Sequence, residues 1–309
     1  MIAGKYRKIK NMDRRNFIGL SAAALAATTV QASGASAMMG KEKAEKGLKI
    51  RFLGTGAADW NGKDERGEQR RLSSILVENH ILVDFTATAA DMIPKDAHPD
   101  TIFYTHSHGD HYSPKAAIEV GVKTAYMSQT WYNIACHDFE AAARELGKPM
   151  PKLIPVCIGQ QIEVAGVTFT PLPANHATEY ILEQAQIYLM EKDGARVLYA
   201  TDTGGLMAVA TRMIGIDSHK KGQPITGLIM EATMGMDFEM DYRLFCHSSV
   251  AVVKRSAEIL TQTKRYAPKE GQPVYLTHMA RTLHGTQAEL DKTLPAPLKA
   301  AYDGLEVLF

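Results

Sequence analysis

The segment Thr105-His106-Ser107-His108-Gly109-Asp110-His111 follows directly on the apolar run Ile102-Phe103-Tyr104. It sets three imidazoles and a carboxylate within six positions, at the end of a strand-like stretch. Histidine is the commonest side-chain metal ligand, and carboxylates complete hydrolytic zinc sites. Core packing gives no reason for four such donors side by side. The segment therefore points to a metal site, the number of donors points to two ions, and the chemistry they predict is metal-assisted hydrolysis.

Outward from this segment, short β-branched runs alternate with helical patterns. Residues 50–53, 74–77, 81–85 and 101–104 read as strands between Gly-, Asp- and Asn-rich turns. Ser113 and Pro114 form a cap and first-position pair for a helix over 113–120, and 133–146 is a second helix candidate. Strands resume at 161–164, 167–171, 185–191, 196–200, 227–230 and 273–277. Between the last two, 248–263 is an amphipathic helix with Val250, Val253, Ala257 and Leu260 at helical spacing, and Val252 and Ile259 are expected to widen its apolar face. A final helix is expected over 287–293. Strands and helices thus alternate in two successive blocks. They predict an α/β fold for residues 48–309, a four-layer αββα sandwich in one domain.

Three further polar residues share the context of the opening segment. His176 follows strand 167–171 after a short turn, Asp202 follows 196–200, and His278 follows 273–277. Donors at strand ends can converge on one rim while the strands hold them rigidly. Asp84 and Glu231 also sit at strand ends and are candidates to orient ligand imidazoles. Gly54-Thr55-Gly56 invites a dinucleotide-binding reading, but the third glycine is missing and position 59 is Asp. Arg281 and His284 lie just past His278, where they either face the site and bind an anion or are solvated. Trp60 and Trp131 read as core or pocket wall, and Met230, Met234, Met236 and Met240 as pocket lining or core.

Thr-His-Ser-His-Gly-Asp-His matches the H-x-H-x-D-H signature, and over residues 50–284 the chain resembles the metallo-β-lactamase superfamily. The resemblance implies a binuclear site on one edge of the sandwich. His106, His108 and His176 would hold one metal, Asp110, His111 and His278 the other, and Asp202 would bridge them. β-Lactam hydrolases of this fold generally carry Cys near that bridging point, whereas hydrolases of phosphodiesters and lactones carry Asp. Phe52-Leu53-Gly54-Thr55-Gly56-Ala57, then Arg71-Leu72-Ser73-Ser74-Ile75-Leu76-Val77 and Ile81-Leu82-Val83-Asp84, resemble the branch containing ribonuclease Z and the phosphoribosyl cyclic phosphate phosphodiesterases. In that branch a His precedes a helix between the bridging Asp and the last ligand. Here Cys246-His247-Ser248-Ser249 matches it, so His247 would contact the scissile phosphate or protonate the leaving group. The expected catalytic residues are thus Asp110, Asp202 and His247.

Two divalent ions about 3.5–4 Å apart can share a hydroxide that is nucleophilic near neutral pH. Zinc is the default for a His-rich hydrolytic site, and manganese or iron also fits these ligands. The cysteine-rich extra metal site of the cyclic phosphate phosphodiesterases is absent from the sequence, as is a basic tRNA-gripping arm. The expected substrate is a small phosphodiester or cyclic phosphate. A lactone or other ester on the same site, or a ribonuclease Z-like nuclease activity, is the alternative.

The N-terminus reads as an export signal. Asp13-Arg14-Arg15-Asn16-Phe17-Ile18 resembles a twin-arginine signal, an Ala-rich apolar run covers 17–30, and Ala35-Ser36-Ala37 fits a cleavage site. Residues 1–37 are expected to be removed, 38–47 to form a linker, and the product to be periplasmic or otherwise exported. Six of the 35 basic and one of the 34 acidic residues lie in 1–37, so the remainder carries a net charge of −4. That balance disfavours nucleic acid as a partner. The expected partner is a small ester, the membrane is met only during export, and a homodimer is left open. Cys136, Cys157 and Cys246 form no C-x-x-C pair and read as small buried hydrophobes.

Overall fold

The computed structural model describes residues 46–216 and 222–309. The segment expected to direct export, 1–37, and the linker residues 38–45 lie outside the described residues. The first block runs β1 (Lys49–Gly54), β2 (Ser74–Val77), β3 (Ile81–Val83), β4 (Thr101–Phe103), α1 (Pro114–Val120), β5 (Thr124–Ser128), α2 (Tyr132–Leu146) and β6 (Lys152–Val156). The second runs β7 (Ile162–Val164), β8 (Val167–Pro173), β9 (Gln186–Lys192), β10 (Ala195–Ala200), α3 (Ala208–Met213), β11 (Gly227–Glu231), α4 (Val250–Gln262), β12 (Val274–Thr277), α5 (Gln287–Thr293) and β13 (Leu298–Ala300), and β14 (Glu306–Leu308) closes the chain.

Two sheets result, in the orders β14-β1-β2-β3-β4-β5-β6 and β13-β12-β11-β10-β9-β8-β7. Pairing is parallel from β3 to β6 and from β10 to β13, and antiparallel elsewhere. Three apolar cores define four layers. Ile50, Phe52, Phe103, Phe169, Tyr199 and Ile229 fill the space between the sheets. Residues from α1 and α2, among them Ala117, Ile118 and Phe139, cover the outer face of the first sheet. Residues from α3, α4 and α5 cover the second. Along β10 the side chains alternate by the pleat, with Val197 and Tyr199 entering the central core and Leu198 and Ala200 the helix-covered one. A strand buried on both faces therefore reads as a continuous apolar run. This is the αββα sandwich.

Local chemistry ends the helices where expected. Ser113 accepts the Ala116 amide, Pro114 opens α1, and Gly121 closes it at φ 96° in the left-handed region that glycine tolerates. Ser249 caps α4 through the Val252 amide. The apolar face of α4 is narrower than its sequence suggests: Val252 is half-buried and Ile259 is 52% exposed. The cysteines also depart from expectation. All three are free, Cys157 is exposed, and Cys136 and Cys246 are only half-buried. Trp60, Trp131, Met230 and Met234 are core, whereas Met236 and Met240 are exposed.

The Gly54-Thr55-Gly56 doublet serves close packing. A Cβ on Gly54 would run into the Leu72 carbonyl, and one on Gly56 would lie 2.5 Å from the Trp60 ring. The Ala57 amide can then donate to the Met279 carbonyl at 3.2 Å, beside His278. This contact joins the segment after β1, in the first sheet, to the segment after β12, in the second.

Phe103, fully buried on β4, is sandwiched between Tyr126 at 4.4 Å and Phe169 at 4.2 Å, both rings nearly parallel to it. It ties together the two sheets just below His106. Phe103→Ala is expected to lower the unfolding free energy by about 3–5 kcal/mol, read as a drop in urea midpoint at unchanged slope.

Candidate metal centre

Every donor named from the sequence arrives at one rim. β3 leads to Asp84, β4 to His106, β8 to His176, β10 to Asp202, β11 to Glu231 and β12 to His278. Asp84, Asp202 and His278 adopt left-handed backbone conformations, with φ of 54°, 47° and 51°. Non-glycine residues rarely sit there, and when they do the surrounding structure holds them. Three strands thus end in the same kink, which turns their last side chain into the rim.

The ligating atoms of His106, His108 and His176 lie within 4.8 Å of one another, as do those of Asp110, His111 and His278, and those of His106, His111 and Asp202. A second layer sets the ring tautomers. Thr105 Oγ1 donates to Asp84 Oδ2 at 2.7 Å, so His106 Nδ1–H donates to Thr105 Oγ1 at 2.9 Å. His111 Nδ1–H donates to the same Asp84 oxygen at 2.8 Å. On the other side Thr233 Oγ1 donates to Glu231 Oε2 at 2.5 Å, so His278 Nδ1–H donates to Thr233 at 2.9 Å. His176 Nδ1–H donates to the Cys246 carbonyl at 3.1 Å. In all four rings Nδ1 is occupied and the Nε2 lone pair is left facing the others.

This donor set fits divalent ions. Nε2 of His106 and Nε2 of His111 are buried and make no hydrogen bond. His176 Nε2 and His108 Nδ1 face each other at 3.1 Å. Buried acceptors brought together without donors are costly unless a cation lies among them. His111 Nε2 is also 2.9 Å from Asp202 Oδ2 and 3.3 Å from Asp110 Oδ2, and His278 Nε2 is 3.3 Å from both carboxylates.

Electrostatics agree. Burial pushes His106 well below its ordinary pKa and also lowers His108 and His176, so these rings are neutral and ready to donate a lone pair. Burial works to raise Asp110, but His111 and His278 outweigh it and hold the carboxyl well below the usual range. Asp202 is held low in the same way by His278, His111 and His176. Burial would lower His111, yet Asp202, Asp110 and Asp84 raise it well above its ordinary value. The carboxylates that favour a proton on His111 favour a metal cation equally.

His247 stands at the edge of this cluster. Its Nδ1 is 3.2 Å from Glu231 Oε1, 3.2 Å from Thr233 Oγ1 and 3.6 Å from Asp202 Oδ1. Burial alone would lower its pKa, but the Glu231 charge and hydrogen bond, with Asp202 and Asp110, raise it to about 9. It opens with His108, His176 and His278 onto a cavity of ≈ 400 Å³.

The sequence reading missed several participants. Thr105 and Thr233 relay the buried carboxylates to the ligand rings. Glu183 accepts the Ser107 amide at 2.8 Å and its hydroxyl at 2.5 Å, pinning the loop between His106 and His108. The one signal available was position, since Thr233 lies two residues past Glu231 and Thr105 directly precedes His106. Arg281 and His284 take a different place from either expectation. Arg281 gives its amide to Asp59 at 2.8 Å, and its side chain does not line the cavity. His284 Nε2–H donates to the Ala232 carbonyl at 2.7 Å, and burial lowers its pKa to about 4, so it is a neutral brace.

A two-sheet sandwich with clustered His and Asp on one rim is the architecture of a metallo-β-lactamase fold. Residues 82–279 match the family model described as the beta-lactamase superfamily domain, and the chain belongs to that family. A UPF0173 metal-dependent hydrolase of Thermococcus onnurineus is 30% identical over 162 residues, which are 50% of this chain and 62% of that relative. The match thus spans less than two-thirds of the curated relative's length. Among solved structures, a diphosphatase from the PhnP family shares the fold at TM-score 0.58 and 19% identity, covering 85% of this chain and 98% of the other. Zn(2+)-bound PqqB from Methylobacterium extorquens does so at TM-score 0.61 and 14% identity, covering 84% and 100%.

Glu231→Gln removes the charge that faces His247 while keeping a hydrogen-bonding side chain. In metal-free protein, NMR titration of His247 is expected to move from about 9 towards its ordinary value of 6.5. Because the folded pKa is raised, the stabilisation from this pair is complete below 6.5 and is lost as pH climbs through about 9. An unmoved titration curve in the variant would assign the shift to another group.

Proposed function

We propose that this chain is an exported, metal-dependent hydrolase that cleaves a small phosphodiester or cyclic phosphate. The observation that carries the reading is the set of buried ring nitrogens, His106 Nε2 and His111 Nε2 foremost, facing two ionised carboxylates with no hydrogen bonds of their own. His106, His108 and His176 would hold one ion, Asp110, His111 and His278 the second, with Asp202 between them. When bound, such ions supply Lewis acidity towards the ester oxygen and lower the pKa of water. Zinc suits five imidazoles and two carboxylates best.

The protein groups do the rest. Asp84 and Glu231, through Thr105 and Thr233, lock the ligand rings so that donor positions do not relax when substrate arrives. Glu231 holds Nδ1–H of His247, leaving its Nε2–H to donate to the leaving oxygen as a general acid. The −1 charge of a phosphodiester suits a rim that sets metal cations beside the His247 ring. The likeness to a PhnP-family diphosphatase supports phosphorus over carbon as the centre attacked. Asp at 202, where β-lactam hydrolases of this fold generally carry Cys, counts against a β-lactam and leaves phosphodiesters and lactones as the candidates.

His108→Ala and Asp202→Ala are expected to lose bound metal and turnover of bis(p-nitrophenyl) phosphate together, measured by elemental analysis and initial rates. His247→Ala is expected to keep its metal and lose about 10²–10⁴ in kcat. Faster hydrolysis of lactones than of any phosphodiester would replace the substrate class while leaving the metal centre intact.

Export rests on the twin-arginine string at 13–18 and the Ala35-Ser36-Ala37 site. Replacing Arg14 and Arg15 together by Lys is expected to hold the protein in the cytoplasm, and N-terminal sequencing of the exported wild type should begin at Met38. Equal export of the double variant counts against this route.

A further inference from the structure

We propose that Arg243 is the specificity-determining cation of this site, and that the substrate carries a second anionic group, a carboxylate or a phosphate, beyond the ester at the metal centre. The inference rests on the hydrolase reading above and narrows its substrate class. Arg243 lines the same cavity as His176, Asp202 and His247, and among the described residues that do so it is the sole Arg or Lys.

Its placement is built rather than incidental. Asp241 Oδ1 accepts the Arg243 amide at 2.8 Å, and Oδ2 accepts Nη1–H at 2.8 Å. The guanidinium carbon lies 5.2 Å from the Tyr242 ring centroid. These contacts take one edge of the fork. Among the described residues no hydrogen bond engages Nε or Nη2, which leaves these donors for a ligand, and a planar fork suits a carboxylate or phosphate oxygen pair.

The backbone of Arg243 ties this cation to the reacting groups. Its carbonyl accepts the Cys246 amide at 2.9 Å and the His247 amide at 2.7 Å, and the Cys246 carbonyl in turn orients His176. The separation between the anion contact and the metal centre is therefore held by the short turn that also positions His247. A fixed separation selects substrates by length. The lining also includes the small or apolar residues Ala57, Ala58, Ala280 and Leu283, which suit the body of a small molecule. Asp59 also lines the cavity, but its carboxylate already accepts the amides of Arg281 and Thr282 and the Thr282 hydroxyl.

A purely structural role is the competing account, in which Arg243 only closes the turn onto Asp241. Calorimetric titration of the metal-loaded full chain separates the two, with phenyl phosphate, 4-carboxyphenyl phosphate and carboxymethyl phosphate as probes. On wild type, at least one carboxylated probe is expected to bind about tenfold more tightly than phenyl phosphate, the scale of one charge-assisted contact. Arg243→Gln should erase that advantage and leave phenyl phosphate affinity in place. Arg243→Lys should keep part of it, because charge survives and the fork does not. The proposal is overturned if neither carboxylated probe is favoured by wild type, or if the advantage persists in either variant at full strength. Thermal melts verify folding, and the side chain is half-exposed, so both variants should fold. The readout is binding. A protein that shows the Arg243 dependence and hydrolyses no ester sinks the hydrolase reading alone. One that cleaves phosphodiesters without that dependence sinks Arg243 alone.

Discussion

Five imidazoles and two ionised carboxylates crowd one rim of this sandwich, and the lone pairs of the rings face inward. That arrangement is the constraint on which the rest depends. Acceptors buried together repel and are poorly solvated, so each must be held from behind. Two buried carboxylates do this in near-symmetric fashion. Asp84 takes the amide and hydroxyl of Thr105 and the ring of His111. Glu231 takes the amides of Thr203 and Thr233, the Thr233 hydroxyl and the ring of His247. One threonine on each side passes the constraint on to a further imidazole.

The sandwich serves this arrangement by ending its strands together. Parallel pairing in both sheets brings the C-terminal ends of β3 and β4, and of β10, β11 and β12, to the same edge. Left-handed kinks at Asp84, Asp202 and His278 then turn these side chains across the gap. Close backbone contacts join the sheets near the rim. The Gln186 amide donates to the Thr105 carbonyl at 2.9 Å, and the Tyr188 hydroxyl to the Tyr104 carbonyl at 2.7 Å. The donors of the first sheet and those of the second are thereby kept in register.

Much of this was legible along the chain. The amphipathic period of α4, the cap at Ser113 and the apolar runs of β2, β8 and β10 identified their elements within a residue or two at most boundaries. The sequence reading missed the short helix α3, and the strands it missed lie at or next to sheet edges. β6, β13 and β14 are edge strands, and β5 pairs with one of them. An edge strand has a neighbour on one side only and shows a weak pattern: β6 carries Pro155, and β13 and β14 are three residues each. Ile259 misled for the related reason that helical spacing marks a face, and only packing decides how wide that face is.

The sequence by itself determined the class of fold and the identity of the candidate donors, because both are written locally: strand period, helix caps, and imidazoles and carboxylates set at strand ends. Tertiary structure alone decided the tautomers, the threonine relays, the charge on His247 and the place of Arg243 on the cavity wall. Those depend on distances of about 3 Å between residues far apart in the chain, as with Thr233 and His278, 45 positions apart. No local pattern encodes such a distance, since it is set by where two strands finish rather than by what either contains.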